Sequence, residues 1–325
     1  MTQELRVAVV GAGRMGTDHI IRIRDRMQRA RITAIVDIDE EKARTAVQGI
    51  EGAQVYTDFV AALESGDIDA VVVVTPGFLH EQVLLPTITK GLPVLCEKPL
   101  TPDSESAWRV VQAEVQADAK LVQVGFMRRY DAGYREIQEA VRSNAYGELL
   151  ALDCEHINPA VPDSYTGRNL IDDTVVHEFD GVRFLTGEEV TSVAVRAGKR
   201  TPLAKEGLVD PAQILMTTES GVRVSVNTHV AAEYGYAVTT RASFVNAHVA
   251  VGTDQVTPGF EERFVDAYDT EIQEWIDGCL QGEVTGPTAW DGYAAAACCE
   301  AGVRAVENPG TEVPVKLNAK PALYS

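Results

Sequence analysis

Hydrophobic and polar residues alternate in two different ways along the chain, and the change falls near residue 125. In the first part, runs rich in Val, Ile and Leu predict strands, and the amphipathic stretches between them predict helices. The predicted strands are residues 5–10, 31–36, 70–74, 93–96 and 121–124, and the predicted helices are residues 15–29, 39–48, 58–63, 80–90 and 103–117. Asp39, Asp58 and Asp103 are the expected helix caps. Near-continuous apolar strands alternating with helices predict a parallel sheet covered on both faces.

After residue 125 the strands group together and alternate in polarity. The predicted helices are residues 132–143, 174–186, 269–280 and 290–306, and the predicted strands are residues 148–156, 190–196, 213–218, 222–230 and 237–244. This order predicts an α+β domain with a mainly antiparallel, open sheet that is covered on one face. We therefore expect an α/β protein with two domains, residues 1–125 and residues 126–325.

The amino-acid composition and the net charge exclude some classes of protein and disfavour others. Of the 325 residues 45% are hydrophobic and 24% are charged, which excludes wholesale disorder, and the net charge of −19 disfavours nucleic acid and membrane surfaces as partners. The apolar runs are too short to span a bilayer, and no signal peptide is visible at the N-terminus. Five cysteines without a CxxC pair predict free thiols in a cytoplasmic protein and no metal site.

A glycine-rich motif lies where the first strand meets the first helix. Gly11, Gly13 and Gly16 form GxGxxG directly after residues 5–10. In this context the first glycine permits a tight turn, the second lets backbone amides approach a pyrophosphate, and the third lets the helix pack close to the strand. The free N–H groups of the helix N-terminus favour phosphate. The motif predicts a Rossmann dinucleotide-binding domain, and the alternative is a purely structural turn.

An acidic residue ends the second predicted strand. Asp37 follows Gly16 by 21 residues, where a carboxylate reaches the ribose diol of NAD and repels the 2′-phosphate of NADP. The alternative is that Asp37 only caps the next helix, although Asp39 is better placed to do so. No basic residue follows Asp37 directly, so we predict NAD as the cofactor.

Two further segments carry candidate catalytic groups. Glu97, Lys98 and Pro99 follow a core strand at the sheet edge where ligands bind in such folds, so Lys98 could hold an alkoxide oxygen or the carboxamide end of the cofactor. Asp173 and His177 are four residues apart, which places a carboxylate and a proton acceptor on one face of a helix. The alternatives are a solvated turn for the first segment, and a capping Asp with a solvent-facing His for the second.

Taken together, these motifs resemble those of the glucose–fructose oxidoreductase/inositol dehydrogenase (Gfo/Idh/MocA) family over nearly the whole chain. Four segments are common to many members: GAGRMG (11–16), VTPGFLH (74–80), LCEKPL (95–100) and GFMRRYD (125–131). Three segments are closer to the inositol branch: HINP (156–159), DTVVHEFD (173–180) and YGY (234–236). The chain departs from that branch at Ile157, where Arg is common, and at Ala237, where Asp often follows the Gly-Tyr pair.

The resemblance implies a role for individual residues. Lys98, Asp173 and His177 match the catalytic group, with His177 as the proton acceptor. The implied cofactor contacts are Gly11, Gly13, Arg14, Met15, Gly16, Asp37, Thr75, His80 and Glu97. The implied substrate contacts are Arg128, His156, Asn158, Thr174 and Tyr236.

The resemblance also implies an activity. It implies NAD-dependent oxidation of a ring hydroxyl of a cyclic polyol, first of all myo-inositol to its 2-keto product, by a homo-oligomer (dimer or tetramer). Another inositol isomer or a pyranose sugar stays open as the substrate. A cofactor-binding sensor without chemistry is a second class of function, although such a sensor has no need of Lys98, Asp173 and His177 together. NAD-dependent glycoside cleavage is a third.

Overall fold

The computed structural model describes residues 4–253 and 255–325, and they form two structural units. Unit 1 contains the described residues up to Phe126 together with residues 268–293 and 319–325, and unit 2 contains residues 127–267, apart from Asp254, and 294–318. Residues 1–3 and Asp254, which the sequence division assigns to the first and second domains, lie outside the described residues. The prediction that a cofactor domain ends at residue 125 and a substrate domain begins at residue 126 stays a prediction.

Unit 1 is built on a six-stranded parallel sheet. Its strands are β1 (Leu5–Val10), β2 (Ala30–Val36), β3 (Gln54–Tyr56), β4 (Ala70–Val73), β5 (Val94–Glu97) and β6 (Val122–Gly125). Their order is β3-β2-β1-β4-β5-β6, and every pairing is parallel. This is the strand order of a dinucleotide-binding Rossmann sheet, so that prediction is confirmed. The sequence missed β3 because it is a three-residue edge strand.

Helices connect these strands, and their starts are as predicted. The helices are α1 (Arg14–Asp25), α2 (Glu40–Ala46), α3 (Phe59–Glu64), α4 (His80–Thr89) and α5 (Ser104–Ala117). Asp39, Asp58 and Asp103 each accept hydrogen bonds from backbone N–H groups of the helix that follows, which confirms the three caps. The predicted continuation of α1 to residue 29 is wrong. The helix ends at Asp25, and Arg29 has a φ of 63°, a left-handed conformation that a helix cannot contain.

The core of unit 1 includes a helical segment from the C-terminal part of the chain. Ile272, Trp275 and Ile276 are at most 1% exposed and join the core cluster of the parallel sheet. Their spacing is that of one helix face. Burying each such side chain stabilises the fold by roughly 1.5–3 kcal/mol. A segment more than 140 residues downstream of β6 therefore completes the core of this unit.

Unit 2 contains a seven-stranded mixed sheet. Its strands are β7 (Leu149–Ile157), β8 (Val190–Ala197), β9 (Ala212–Thr218), β10 (Arg223–His229), β11 (Ala237–Phe244), β12 (His248–Val251) and β13 (Glu312–Pro314). The order is β12-β11-β7-β10-β9-β8-β13, in which only the β7–β10 pairing is parallel. The mainly antiparallel sheet is therefore confirmed. The edge strands β12 and β13 were not predicted.

The remaining helices include two short ones that were not predicted, Gly167–Asn169 and Phe260–Arg263, and others whose starts differ from the prediction. They are α6 (Ala132–Arg142), α7 (Gly167–Asn169), α8 (Val176–Thr186), α9 (Phe260–Arg263), α10 (Val265–Gln281) and α11 (Ala289–Glu307). Residues 174 and 175 were predicted as the start of an α-helix, but they end a π-helix, Leu170–Val175, that leads into α8. Such wide turns are rare and occur often at functional sites.

All five cysteines are free thiols, and Cys298 and Cys299 are buried in α11 as expected for small apolar residues. Burial raises the pKa of Cys298 to about 12, so this thiol stays protonated at neutral pH. No helix in residues 4–253 and 255–325 is both long and apolar enough to cross a membrane.

The C-terminal residues hold a buried carboxyl group in unit 1. Glu114 is 0% exposed and accepts hydrogen bonds from the Leu121 and Val122 backbone N–H groups and from the Tyr324 hydroxyl, the last at 2.5 Å. Burial raises the pKa of Glu114, and the three hydrogen bonds oppose that rise. The proton on Glu114 therefore stabilises the fold at low pH, and this contribution is lost as the pH rises through the folded-state pKa.

Replacing Tyr324 with Phe should destabilise unit 1 by about 1–3 kcal/mol, because one oxygen of the buried carboxylate loses its donor. The loss should be larger near pH 8 than near pH 5, since removing the hydroxyl raises the pKa of Glu114 further. Urea unfolding followed by tryptophan fluorescence measures this, because Trp108, Trp275 and Trp290 all belong to unit 1. Tyr146→Phe, at an exposed position of unit 2, is the control. Equal midpoints for Tyr324→Phe and the unsubstituted protein would show that the contact contributes nothing.

Candidate functional site

The glycine motif forms a turn of very close contacts in unit 1. Gly11 has a φ of 107°, and a Cβ there would lie 2.6 Å from the Val74 carbonyl oxygen. A Cβ on Gly16 would lie 2.0 Å from the Gly11 carbonyl oxygen. At Gly13, by contrast, a Cβ would meet nothing within 4 Å. Two glycines are thus required by the fold itself, whereas Gly13 leaves open space at the start of α1, as a cradle for a phosphate requires.

Arg14 and Met15 follow this turn as the first residues of α1, where backbone N–H groups have no partner within the helix. The Arg14 side chain is exposed, and the Met15 side chain packs against the apolar core of unit 1. Met15 can therefore contribute to phosphate binding through its backbone and through the packing of the turn.

Asp37 is fixed beside the glycine turn by the backbone. Its carboxylate accepts hydrogen bonds from the Ala12 N–H at 2.7 Å and the Asp39 N–H at 2.9 Å. Asp39, not Asp37, caps α2, so the capping alternative for Asp37 is wrong. Ile38, the next residue, is 88% exposed.

A cavity of about 730 Å³ adjoins Asp37 and the glycine turn. Its lining includes the apolar residues Val36, Phe59 and Val74, and also Lys42, whose ammonium group lies 3.6 Å from an Asp39 carboxylate oxygen. The Thr75 hydroxyl oxygen is buried at the cavity and has no hydrogen-bond partner among the described residues. An apolar cavity with an acidic residue and an unsatisfied hydroxyl fits the nucleotide half of NAD.

The Glu-Lys-Pro turn lies at the end of β5. Glu97 is 8% exposed, and its carboxylate contacts the His19 ring nitrogen Nε2 at 2.8 Å and the Lys98 backbone N–H at 3.1 Å. Burial would raise the pKa of Glu97, but His19 and the Lys98 charge hold it below its ordinary value. Lys98 itself is half-buried, so the solvated-turn alternative does not describe this segment.

The buried His80 ring links two backbone segments of unit 1. It is 1% exposed, with Nε2 2.7 Å from the Thr75 carbonyl oxygen and Nδ1 2.9 Å from the Pro99 carbonyl oxygen. The Cys96 sulfur lies 3.3 Å from Nδ1, and burial together with the Glu97 charge raises the pKa of this thiol well above its usual range. Both ring nitrogens thus face backbone carbonyl oxygens, which accept hydrogen bonds from N–H groups. Its direct contact with a cofactor stays a prediction.

Unit 2 brings together a second set of predicted residues around a buried ion pair. Arg128 Nη1 donates to Glu178 Oε1 at 2.5 Å, and His156 Nδ1 lies 3.1 Å from Arg128 Nη2 and 3.0 Å from Glu178 Oε1. The Tyr236 ring packs edge-on against His156 with centroids 5.7 Å apart. Arg128, His156 and Tyr236 thus form one cluster, in which burial opposes the Arg128 charge but Glu178 raises the pKa of Arg128.

A tyrosine links the other predicted substrate residues. The Tyr165 hydroxyl lies 2.7 Å from the Thr174 hydroxyl and 3.4 Å from a carboxylate oxygen of Asp173, and Asn158 Nδ2 donates to the Thr174 hydroxyl at 3.3 Å. Burial and the Asp173 charge raise the pKa of Tyr165, so its hydroxyl stays protonated and can donate. Asp173, Thr174 and Asn158 therefore share one hydrogen-bond network.

His177 is 8% exposed, and its ring centroid lies 6.3 Å from that of His156. Asp173 lies within the π-helix Leu170–Val175 and does not cap α8. The alternative of a capping Asp with a solvent-facing His is therefore wrong. Because Asp173 lies in a π-turn, the four-residue spacing by itself no longer assigns both side chains to one helix face.

Sequence reasoning missed three residues of these clusters: Glu178, Tyr165 and His19. Glu178 had a signal, since it lies next to His177 within the motif DTVVHEFD (173–180). Nothing in the local sequence marks Tyr165 or His19. Among the described residues, no group of three or more His, Cys, Asp or Glu side chains could hold a metal ion.

Three family models match the chain. Residues 5–126 match the NAD-binding Rossmann fold of the oxidoreductase family, residues 134–251 match the GFO/IDH/MocA C-terminal domain, and residues 242–317 match the C-terminal alpha/beta domain of the oxidoreductase family.

Similar proteins match over the whole chain. The chain is 54% identical to the inositol 2-dehydrogenase of Arthrobacter sp. (strain FB24) and 43% identical to that of Corynebacterium glutamicum (strain ATCC 13032), with 100% of both chains covered in each case. A crystal structure of myo-inositol dehydrogenase from Lactobacillus casei in complex with NAD(H) and myo-inositol has a TM-score of 0.95 and 34% identity, and covers 99% of this chain and 100% of the other. The scyllo-inositol dehydrogenase of the same organism, with NAD(H) and scyllo-inositol bound, aligns with this chain with a TM-score of 0.88 and 25% identity. The alignment covers 96% of this chain and 99% of the other.

Substitution of the two glycines should separate folding from dinucleotide binding. Gly13→Ala should leave stability unchanged, because its Cβ meets no atom within 4 Å, yet weaken NAD binding about tenfold or more by obstructing the phosphates. Gly16→Ala is the matched comparison and should destabilise unit 1 by about 1–3 kcal/mol or more, because its Cβ clashes with the backbone. Titration calorimetry with NAD and urea unfolding measure the two effects. Unchanged NAD affinity in Gly13→Ala would exclude this turn as the pyrophosphate site.

Proposed function

Because the chain belongs to the Gfo/Idh/MocA oxidoreductase family, we propose that it is an NAD-dependent dehydrogenase that oxidises a ring hydroxyl of an inositol, with myo-inositol as the first candidate. The observation that carries this proposal is the full-length similarity to inositol 2-dehydrogenases. The polar residues of unit 2 support it, because they offer both donors and acceptors to a ring that carries many hydroxyl groups.

Unit 1 binds the dinucleotide in this proposal. Backbone N–H groups after Gly13 receive the pyrophosphate, and Asp37 accepts hydrogen bonds from the adenosine ribose diol. The two backbone donors that hold Asp37 orient its carboxylate at the cavity edge. NAD supplies the hydride acceptor when bound. Thr75, with its unsatisfied buried hydroxyl, is a further contact for the cofactor.

The proton of the reacting hydroxyl goes to His177. Oxidation of a secondary alcohol to a ketone releases a hydride from carbon and a proton from oxygen, so a base must take the proton. A neutral imidazole does this near neutral pH. Asp173 stabilises the resulting positive charge and binds a neighbouring hydroxyl, while its hydrogen bond from Tyr165 limits its motion.

Lys98 stabilises the oxygen as the proton leaves. Its ammonium group supplies positive charge where the alkoxide develops, and a group already in place costs little reorganisation. Arg128, His156, Asn158, Thr174 and Tyr236 bind the other ring hydroxyls in this proposal. Their mutual hydrogen bonds fix the geometry before substrate arrives.

We also propose that the protein is a cytoplasmic homo-oligomer, a dimer or a tetramer. One face of the unit 2 sheet is buried, as at Ile214 and Met216, whereas Leu215 and Thr217 on the opposite face are only half-buried. A second copy of the chain could cover that face. Five free thiols support a reducing compartment. Light scattering on the purified protein determines the subunit number.

The activity itself is tested by the absorbance of NADH with a panel of myo-inositol, scyllo-inositol, chiro-inositols and glucose. We expect turnover with myo-inositol, and a loss of at least a hundredfold in kcat for Lys98→Ala, because the developing oxyanion loses its stabilising charge. Lys90→Ala removes an exposed lysine of the same unit and should match the unsubstituted protein. Failure to reduce NAD with any polyol, while NAD still binds, would favour a sensor over an enzyme.

Cofactor preference tests the role of Asp37. The double substitution Asp37→Ala with Ile38→Arg should shift kcat/KM toward NADP, because it removes a carboxylate that repels the 2′-phosphate and adds a guanidinium that binds it. Ile38→Arg alone is the control, since Ile38 is 88% exposed and its replacement leaves the carboxylate in place. If the NAD-to-NADP ratio of kcat/KM is the same in the double variant and the unsubstituted protein, Asp37 does not face the ribose.

A further inference from the structure

One ring nitrogen of His156 in unit 2 lies at hydrogen-bond distance from both a donor and an acceptor. His156 Nδ1 lies 3.1 Å from Arg128 Nη2, and it lies 3.0 Å and 3.1 Å from the two carboxylate oxygens of Glu178. All three residues are at most 3% exposed. A guanidinium only donates hydrogen bonds and an ionised carboxylate only accepts them. The nitrogen must therefore carry a hydrogen and donate to Glu178, or carry a lone pair and accept from Arg128.

The charge states of the three groups are well defined. Burial would raise the pKa of Glu178, but Arg128 and His156 hold it below its ordinary value, so the carboxylate is ionised. Burial lowers the pKa of His156, and although Glu178 opposes that shift, Arg128 adds to it. At neutral pH the cluster therefore contains a guanidinium, a carboxylate and a neutral imidazole with one N–H.

The buried Glu178 carboxylate determines which of its two neutral tautomers His156 adopts. A lone pair on Nδ1 would face both Glu178 oxygens at hydrogen-bond distance, and repulsion between them would be strong away from water. A hydrogen on Nδ1 gives the carboxylate a second donor beside Arg128. Arg128 keeps other favourable contacts, since it donates to Glu178 and lies over the Phe264 ring with Cζ 5.8 Å from its centroid.

We propose that Glu178 is a positioning residue that holds His156 as the Nδ1–H tautomer, so that Nε2 presents a lone pair and accepts a hydrogen bond from a ring hydroxyl of the substrate. The substrate part rests on the proposed function, whereas the tautomer depends on unit 2 alone. An acceptor fixed in this way selects for a hydroxyl that donates. Replacing that hydroxyl with hydrogen leaves the buried Nε2 without a partner, which polar sites penalise strongly.

The direct test is nitrogen-15 NMR of the unsubstituted protein with labelled histidine, near pH 7.5. The chain has six histidines, and the signal absent from His156→Asn assigns His156. We expect a protonated Nδ1 and an unprotonated Nε2. A protonated Nε2, or a His156 protonated on both nitrogens, would overturn the proposal. This measurement needs no substrate, so it is independent of the activity and of how well any Glu178 variant folds.

Glu178→Gln tests the link from tautomer to substrate. Its amide can donate as well as accept, so the Nδ1–H signature should weaken. The kcat/KM for the polyol should fall about tenfold or more, while the KM for NAD stays unchanged. Asp180→Asn is the matched control. Asp180 lies on the same helix, is 1% exposed and pairs with Arg129 at 2.6 Å. Its substitution therefore removes an equivalent buried charge that does not contact His156.

The outcomes separate the two proposals. A His156 signal and a polyol kcat/KM that change in Glu178→Gln but not in Asp180→Asn support the positioning role. Equal changes in both variants would assign Glu178 a general structural role and overturn it. If the protein oxidises polyols but His156 is the Nε2–H tautomer, the proposed function stands and this inference fails. If no polyol reacts, the proposed function fails, and the substrate role of His156 Nε2 falls with it.

Discussion

A charged side chain that is buried away from water needs a partner of opposite charge or a hydrogen-bond donor or acceptor beside it. This requirement determines which polar residues lie together in the interior of each unit. In unit 2 the Glu178 carboxylate is 1% exposed and pairs with Arg128 at 2.5 Å. In unit 1 the Glu97 carboxylate lies 2.8 Å from His19 Nε2 and accepts a hydrogen bond from the Lys98 backbone N–H at 3.1 Å. Removing one member of such a pair leaves an uncompensated charge, which costs far more than the pair contributes. Each pair therefore fixes the backbone segments that carry it.

Two of the three residues that we assign to chemistry are more accessible than these buried groups. Glu178, Arg128 and Glu97 are locked by short contacts within their own unit. Asp173 is exposed and Lys98 is half-buried, so both remain accessible to a small molecule. A preorganised site needs both kinds of residue, because a group that develops or accepts charge must be held by neighbours that do not themselves change.

The fold could be predicted where a local rule decides the structure. Apolar strands, capping aspartates and the glycine motif each act within a few residues, and β1, the caps and the strand order of unit 1 agree with the prediction. The edge strands β3, β12 and β13, of three or four residues, were not predicted. The helix α1 ends at Asp25, although no Gly or Pro lies between this residue and β2 to signal that end.

The site was less predictable because its contacts are distant in sequence. The motifs located Arg128, His156 and His177, but Glu178 binds Arg128 across 50 residues and His19 binds Glu97 across 78, separations that no periodicity encodes. The four-residue spacing of Asp173 and His177 does not by itself give their geometry, because an i,i+4 rule assumes α-helical turns and Asp173 lies in a π-helix. One donor to Asp173 is Tyr165, at 3.4 Å, which lies eight residues earlier and outside any helix. A motif therefore identifies which side chains take part, whereas the tertiary contacts decide which of their atoms are available to react.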